Sequence, residues 1–96
     1  MFTQDLSIVV DEGGRSQALA ISSTSAQSAV INSDYVLVTL TAAGFVRQGS
    51  NPTATSDGTD IYLLAEITYR LNVKKGNKLA LRTAGLTGTA YITQGA

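Results

Sequence analysis

From Ile61 onward, apolar and polar side chains trade places at short range. The segments IYLLAEITYRLNV, KKGN, KLALRTA, GLTG and TAYIT follow one another with little between them. Alternation with a period of two, rich in β-branched and aromatic residues, predicts half-buried strands. Lys75-Gly76-Asn77 and Gly85-Leu86-Thr87-Gly88 supply residues tolerant of positive φ, so each predicts a turn closing a hairpin. Ile61 to Val73 reads either as one strand bent near Ala65-Glu66 or as two.

Upstream, YVLVTLTA sets Tyr35, Leu37, Thr39 and Thr41 on one face and Val36, Val38, Leu40 and Ala42 on the other. Apolar content on both faces predicts a central strand, covered on each side or at an interface. Phe45 to Gln48 predicts a short return strand after Gly44. Gln17 to Ser22 and Gln27 to Asn32 predict weakly patterned strands, and residues 1–12 a short strand or arm carrying Leu6, Ile8 and Val10. Residues 49–60, GSNPTATSDGTD, lack hydrophobic anchors and predict a loop shaped by Pro52 and Asp57-Gly58. No helical period persists over about 11 residues. The pattern predicts an all-β fold, a small antiparallel β-sandwich or jelly roll of about seven to eight short strands.

With 96 residues and 10.0 kDa, the chain has room for one domain, 1–96. A domain of this size buries roughly 60–65% of its unfolded surface, so outside help with stability is expected. There is no Cys and no His, which removes disulfides, thiolate metal sites and the commonest general base. Oligomerisation, or docking on a larger partner, is the remaining route. The start, MFTQDLSIVV, lacks a basic leader and carries Asp5, and no apolar run approaches the roughly 20 residues that cross a bilayer. No membrane partner is expected. Asn51-Pro52-Thr53 is no glycosylation acceptor, because Pro occupies the middle position.

Net charge is zero, yet residues 1–66 hold all seven acids against Arg15 and Arg47, a net of −5. Residues 67–96 hold Arg70, Lys74, Lys75, Lys78 and Arg82 and no acid, a net of +5. Two opposed patches would suit head-to-tail association. Alternatively, strands from the two halves interleave and the charges mix.

Candidate chemistry is sparse. Ser56-Asp57-Gly58-Thr59-Asp60 offers two carboxylates and two hydroxyls that suit Ca²⁺, but without the spacing of a known loop, and the same residues suit a turn. The hydroxyls lack a His or Cys partner, and neither G-x-S-x-G nor a recognisable S-x-x-K context appears. Asp34, Asp57, Asp60 and Glu66 are scattered, with no Trp as a sugar platform. The basic cluster near Tyr62, Tyr69 and Tyr91 has the ingredients of an oligonucleotide surface, although Lys74, Lys75 and Lys78 also bracket a turn where lysines guard strand edges. We read the chain as non-enzymatic, with no cofactor, metal, nucleic acid or small-molecule substrate. Ser and Thr alternate with aliphatics on most strands, giving weakly charged outer faces that pack on protein at low desolvation cost.

The run from Asp34 to Thr93 resembles small virion proteins of tailed bacteriophages. The likeness is carried by "G-x-x-P" at Gly49 to Pro52, "x-Y-L-x-A" at Ile61 to Ala65, "V-x-x-G-x-K-L-A" at Val73 to Ala80, and "G-x-x-x-I-T" at Gly88 to Thr93. It departs at Glu66 to Arg70, where a Pro-containing bend often occurs. The resemblance implies a capsid decoration, or cement, protein on the virion surface, synthesised in the host cytoplasm. Its implied partner is the major capsid protein, bound as a homodimer or homotrimer. A tail, neck or head-fibre component, or a carbohydrate- or receptor-binding module, is the alternative. From exposure and loop length, the expected contact residues are Phe2, Leu6, Ile8 and Val10 of the arm, and Asn51, Pro52, Thr53, Asp57 and Asp60 of the loop.

Overall fold

The computed structural model describes residues 14–95; the arm read at residues 1–12, with Phe2, Leu6, Ile8 and Val10, lies outside them. Eight strands follow in order: β1 Ser16–Ile21, β2 Ala26–Gln27, β3 Tyr35–Leu40, β4 Gly44–Gly49, β5 Ile61–Leu63, β6 Thr68–Asn72, β7 Lys78–Thr83 and β8 Gly88–Gln94. There is no helix among the described residues. Strands β1-β8-β3-β6 form one four-stranded sheet and β2-β7-β4-β5 the other, with every pair antiparallel.

The pairing has a simple origin. Strand β1 pairs with β8, β2 with β7, β3 with β6 and β4 with β5, so the chain doubles back on itself as one long ribbon folded at the 50–60 loop. That ribbon is rolled so that β8 also meets β3 and β7 also meets β4. This is a jelly roll.

Strict alternation decides which face is inside. In β3, Val36, Val38 and Leu40 are fully buried, while Tyr35, Leu37 and Thr39 are half-buried on the outer face. Ile21, Ala90 and Ile92 join them from the first sheet, and Val46, Leu63, Leu79 and Leu81 face them from the second. Ile31 and Val73 close the core from the connections. Each of the Val, Leu and Ile side chains contributes about 1.5–3 kcal/mol on burial.

Two sequence readings need correction, and a third, left open between one strand and two, is decided. The Gly76 turn exists, with φ +96° and the Asn77 amide donating to the Lys74 carbonyl at 3.0 Å. It closes no hairpin, because β6 and β7 belong to opposite sheets, and the same holds for β7 and β8 around Gly85. The strand read at Gln27 to Asn32 stops at Gln27. There the buried Ser28 hydroxyl accepts the Leu79 amide at 2.9 Å and donates to the Ala29 carbonyl at 2.8 Å, displacing the regular ladder. Finally, Ile61 to Val73 is two strands in two sheets. The switch falls at Glu66, which takes φ +62° while its amide donates to the Leu40 carbonyl at 2.8 Å.

Each sheet takes strands from both halves of the chain, so the described parts of the acidic and basic halves do not form separate lobes.

Candidate functional site

Strands β2, β7 and β4 bring Gln27, Ala80 and Arg47 side by side on the outer face of the second sheet. The loop after β4 is fastened at both ends of that row. Gln27 Nε2 donates to Asn51 Oδ1 and to the Pro52 carbonyl, each at 2.8 Å. At the other end Arg47 Nε donates to Asp60 Oδ1 at 2.5 Å, and a second guanidinium nitrogen reaches Thr59 Oγ1 at 3.1 Å. Ser25 Oγ accepts the Ala54 amide at 2.9 Å. Pro52 and Ala54 are buried, and Ala80 is fully buried although it points outward. Residues 50–60 are thus a strap across the sheet with hydrophobic anchors of its own, which sequence reading missed.

The tip of the strap is tied by its own hydroxyls. Asp57 Oδ1 accepts the Thr59 hydroxyl at 2.6 Å, the Thr55 hydroxyl at 2.8 Å and the Thr59 amide at 3.0 Å. Those bonds, led by the Thr59 hydroxyl, hold the Asp57 carboxyl down at about 2, below its usual 3.8. Gly58 turns the chain at φ +92°, open to glycine without strain. The Asp60 carboxylate is 3% exposed and also accepts the Thr55 amide at 2.7 Å. Asp57 Oδ1 and both Asp60 oxygens are therefore engaged by Arg47, Thr55 and Thr59, and no metal-holding cluster of three acidic side chains occurs among the described residues.

Of the expected loop contacts, Asn51, Thr53 and Asp57 lie on the surface. Pro52 and the Asp60 carboxylate turn toward the protein's own sheet and hold the strap in place.

Among the described residues, nothing crosses the first sheet as the strap crosses the second. Its outer face consists of the rows Ser16–Thr93–Leu37–Arg70, Ala18–Tyr91–Thr39–Thr68 and Ala20–Thr89. No carboxylate stands on these rows, and their one cation, Arg70, stacks over the Tyr35 ring at 3.9 Å. Hydroxyls pair across strands, Thr39 with Thr68 at 2.7 Å and Ser16 with Thr93 at 3.0 Å. Tyr91 projects from the middle, 54% exposed. The alternation of Ser and Thr with aliphatics foretold this character, but not that the two sheets differ.

At the β5/β6 edge the sheets part into a cleft of about 460 Å³. Strand β5 and the connection that follows it carry Ile61, Tyr62, Leu64 and Ile67, all exposed. Tyr62 leans on Phe45 with ring centroids 5.1 Å apart. Since Tyr62 and Tyr91 sit on different sheets, they build no common sugar platform. The basic residues also disperse: Arg70 faces outward on the first sheet, whereas Lys78 and Arg82 share the outer face of the second. Tyr69 turns inward, its hydroxyl accepting the Leu64 amide at 3.1 Å. No protein-family model, curated protein or solved structure matches the chain.

Proposed function

We propose that this protein is a non-catalytic decoration protein of a tailed-phage capsid, docking on the major capsid protein lattice at the virion surface. The observation that carries the reading is the asymmetry of the two sheets. One outer face is crossed by the protein's own strap, and the other, among the described residues, presents Thr, Ser, Ala, Leu37 and Tyr91 without a carboxylate. Hydroxyls and methyl groups desolvate at lower cost than charges, and a Tyr near the centre is a suitable anchor. The jelly roll is also the scaffold of many viral coat domains, which supports the reading by analogy of fold only. Within it, the strap gives the molecule rigidity and the first sheet gives it contact. Repetition over a lattice would turn modest single-site affinity into durable attachment, and two or three linked copies would strengthen it further.

The test is the copy number relative to the major capsid protein in purified particles, for wild type and for Tyr91→Asp. The expectation is near-stoichiometric incorporation, lost in the variant while its circular dichroism stays native. A handful of copies per particle would shift the reading to a tail, neck or head-fibre component. Absence from particles would overturn the virion reading.

A further inference from the structure

The β5/β6 edge is unfinished. Among the described residues, strand β6 pairs only with β3 and β5 only with β4, so both leave backbone groups open on one side. Between them the cleft has apolar walls, among them Ile61, Leu71 and Val73, beside polar groups that include Arg47, Asp60 and Arg70. Four of the seven exposed large hydrophobics among the described residues, Ile61, Tyr62, Leu64 and Ile67, fall in this one stretch. Exposed apolar side chains concentrated at an open edge mark a place where another strand belongs.

Charge indicates which strand. Residues 14–95 carry seven basic and four acidic side chains, whereas residues 1–13 carry Asp5, Asp11 and Glu12 and no base. In that segment the acids bracket Leu6, Ile8 and Val10, which alternate as an edge-adding strand requires. Arg70 lines the cleft, Lys74 and Lys75 follow its wall residue Val73 along the chain, and the Lys74 amide donates to Gln48, another wall residue, at 2.8 Å.

Reach decides whose segment it is. Gly14 leads into β1, which lies three strand positions from β6 in the same sheet. Three spacings are about 14 Å, and the four residues from Val10 to Gly14 span at most about 14 Å when taut. A strand added outside β6 stands one spacing further, about 19 Å from β1. Val10 cannot reach that position in its own molecule, so Leu6, Ile8 and Val10 can enter the cleft together only from a second copy. We infer that residues 1–13 of one copy add to the β5/β6 edge of a second copy, with Leu6, Ile8 and Val10 entering the cleft and the acids facing Arg70, Lys74 and Lys75. The contact is head-to-tail, so it propagates to a ring or chain of copies. It is independent of what the assembled protein coats.

Full-length variants test it by sedimentation velocity. Wild type should self-associate, more weakly in about 500 mM than in about 50 mM salt because the contact is charge-assisted. Ile61→Asp alters an edge side chain that is 65% exposed, so the core is untouched. The double variant Leu6→Asp/Ile8→Asp alters only the arm. Each should weaken association by about tenfold or more. Mixed in equal amounts, the two should form a one-to-one pair, because the first still has an intact arm and the second an intact edge. A monomeric wild type, an edge variant that still assembles, or a mixture that stays monomeric would overturn the inference. Because the chain has no Cys, Val10→Cys and Ile61→Cys on separate chains add a second readout. A disulfide between copies supports the exchange. In the doubly substituted chain, a bond formed within one molecule at high dilution would refute it.

Discussion

Asp60→Ala puts the strap to the test. Asp60 holds three donors: the Thr55 amide at 2.7 Å, Arg47 Nε at 2.5 Å and, weakly, the Thr55 hydroxyl at 3.4 Å. On truncation the Thr55 hydroxyl keeps Asp57, and Arg47, 41% exposed, keeps water and Thr59. The Thr55 amide keeps nothing. Losing its bond to a charged acceptor costs about 1.5–3 kcal/mol, and the half-exposed ion pair adds at most about 1 kcal/mol. A total near 3 kcal/mol lowers Tm by about 12–24 °C in a domain of this length. Urea denaturation followed by circular dichroism measures the free energy, and hydrogen exchange at the Thr55 amide reports the local opening. Asp60→Asn leaves an oxygen for that amide and should lose about 1–2 kcal/mol. If both variants unfold within about 0.5 kcal/mol of wild type, with Thr55 still protected, the strap is not held as described.

Gly44→Ala should cost about 1–3 kcal/mol by urea denaturation, since its Cβ would lie 2.6 Å from the Arg82 backbone carbonyl oxygen and β4 would have to move off β7. Ser28→Ala should cost about 1–3 kcal/mol in the same assay, because the Leu79 amide loses its acceptor in a buried position. For Asp57, the folded value of about 2 lies below the ordinary 3.8. Its contribution to stability is therefore complete above the ordinary value and fades as pH falls toward 2. Asp57→Asn should flatten that part of the acid denaturation curve, and the Thr59 amide resonance of wild type should titrate with a midpoint near 2.

What the sequence made legible was whatever depends on alternation. The faces of β3, the return strand at Gly44–Gly49 and the closing strand β8 could be read directly, because burial in a sheet imposes a period of two on each strand separately. Pairing could not be read that way. A turn at Gly76 or Gly85 looks the same whether the next strand lies beside the last one or across the core from it. The one connection that joins neighbours within a sheet, β4 to β5, runs through the longest loop and carries no compact turn signature. The loop itself was visible as a candidate, but its anchoring was not. Gln27, Ala80 and Arg47 are distant in sequence and become adjacent only when β2, β7 and β4 align.

The rolled ribbon also governs when this molecule is able to fold. Strand β8 lies between β1 and β3, with Thr93 beside Ser16 on one side and Leu37 on the other. Until residue 94 has been synthesised, β1 has no neighbour in its sheet and β3 lacks one of its two. No early portion of the chain can set aside a finished half. Folding therefore waits for the last strand and proceeds as a single slow event dominated by distant pairings. A ribosome stalled before β8 would hold a chain with Val36, Val38 and Leu40 uncovered, a ready client for chaperones.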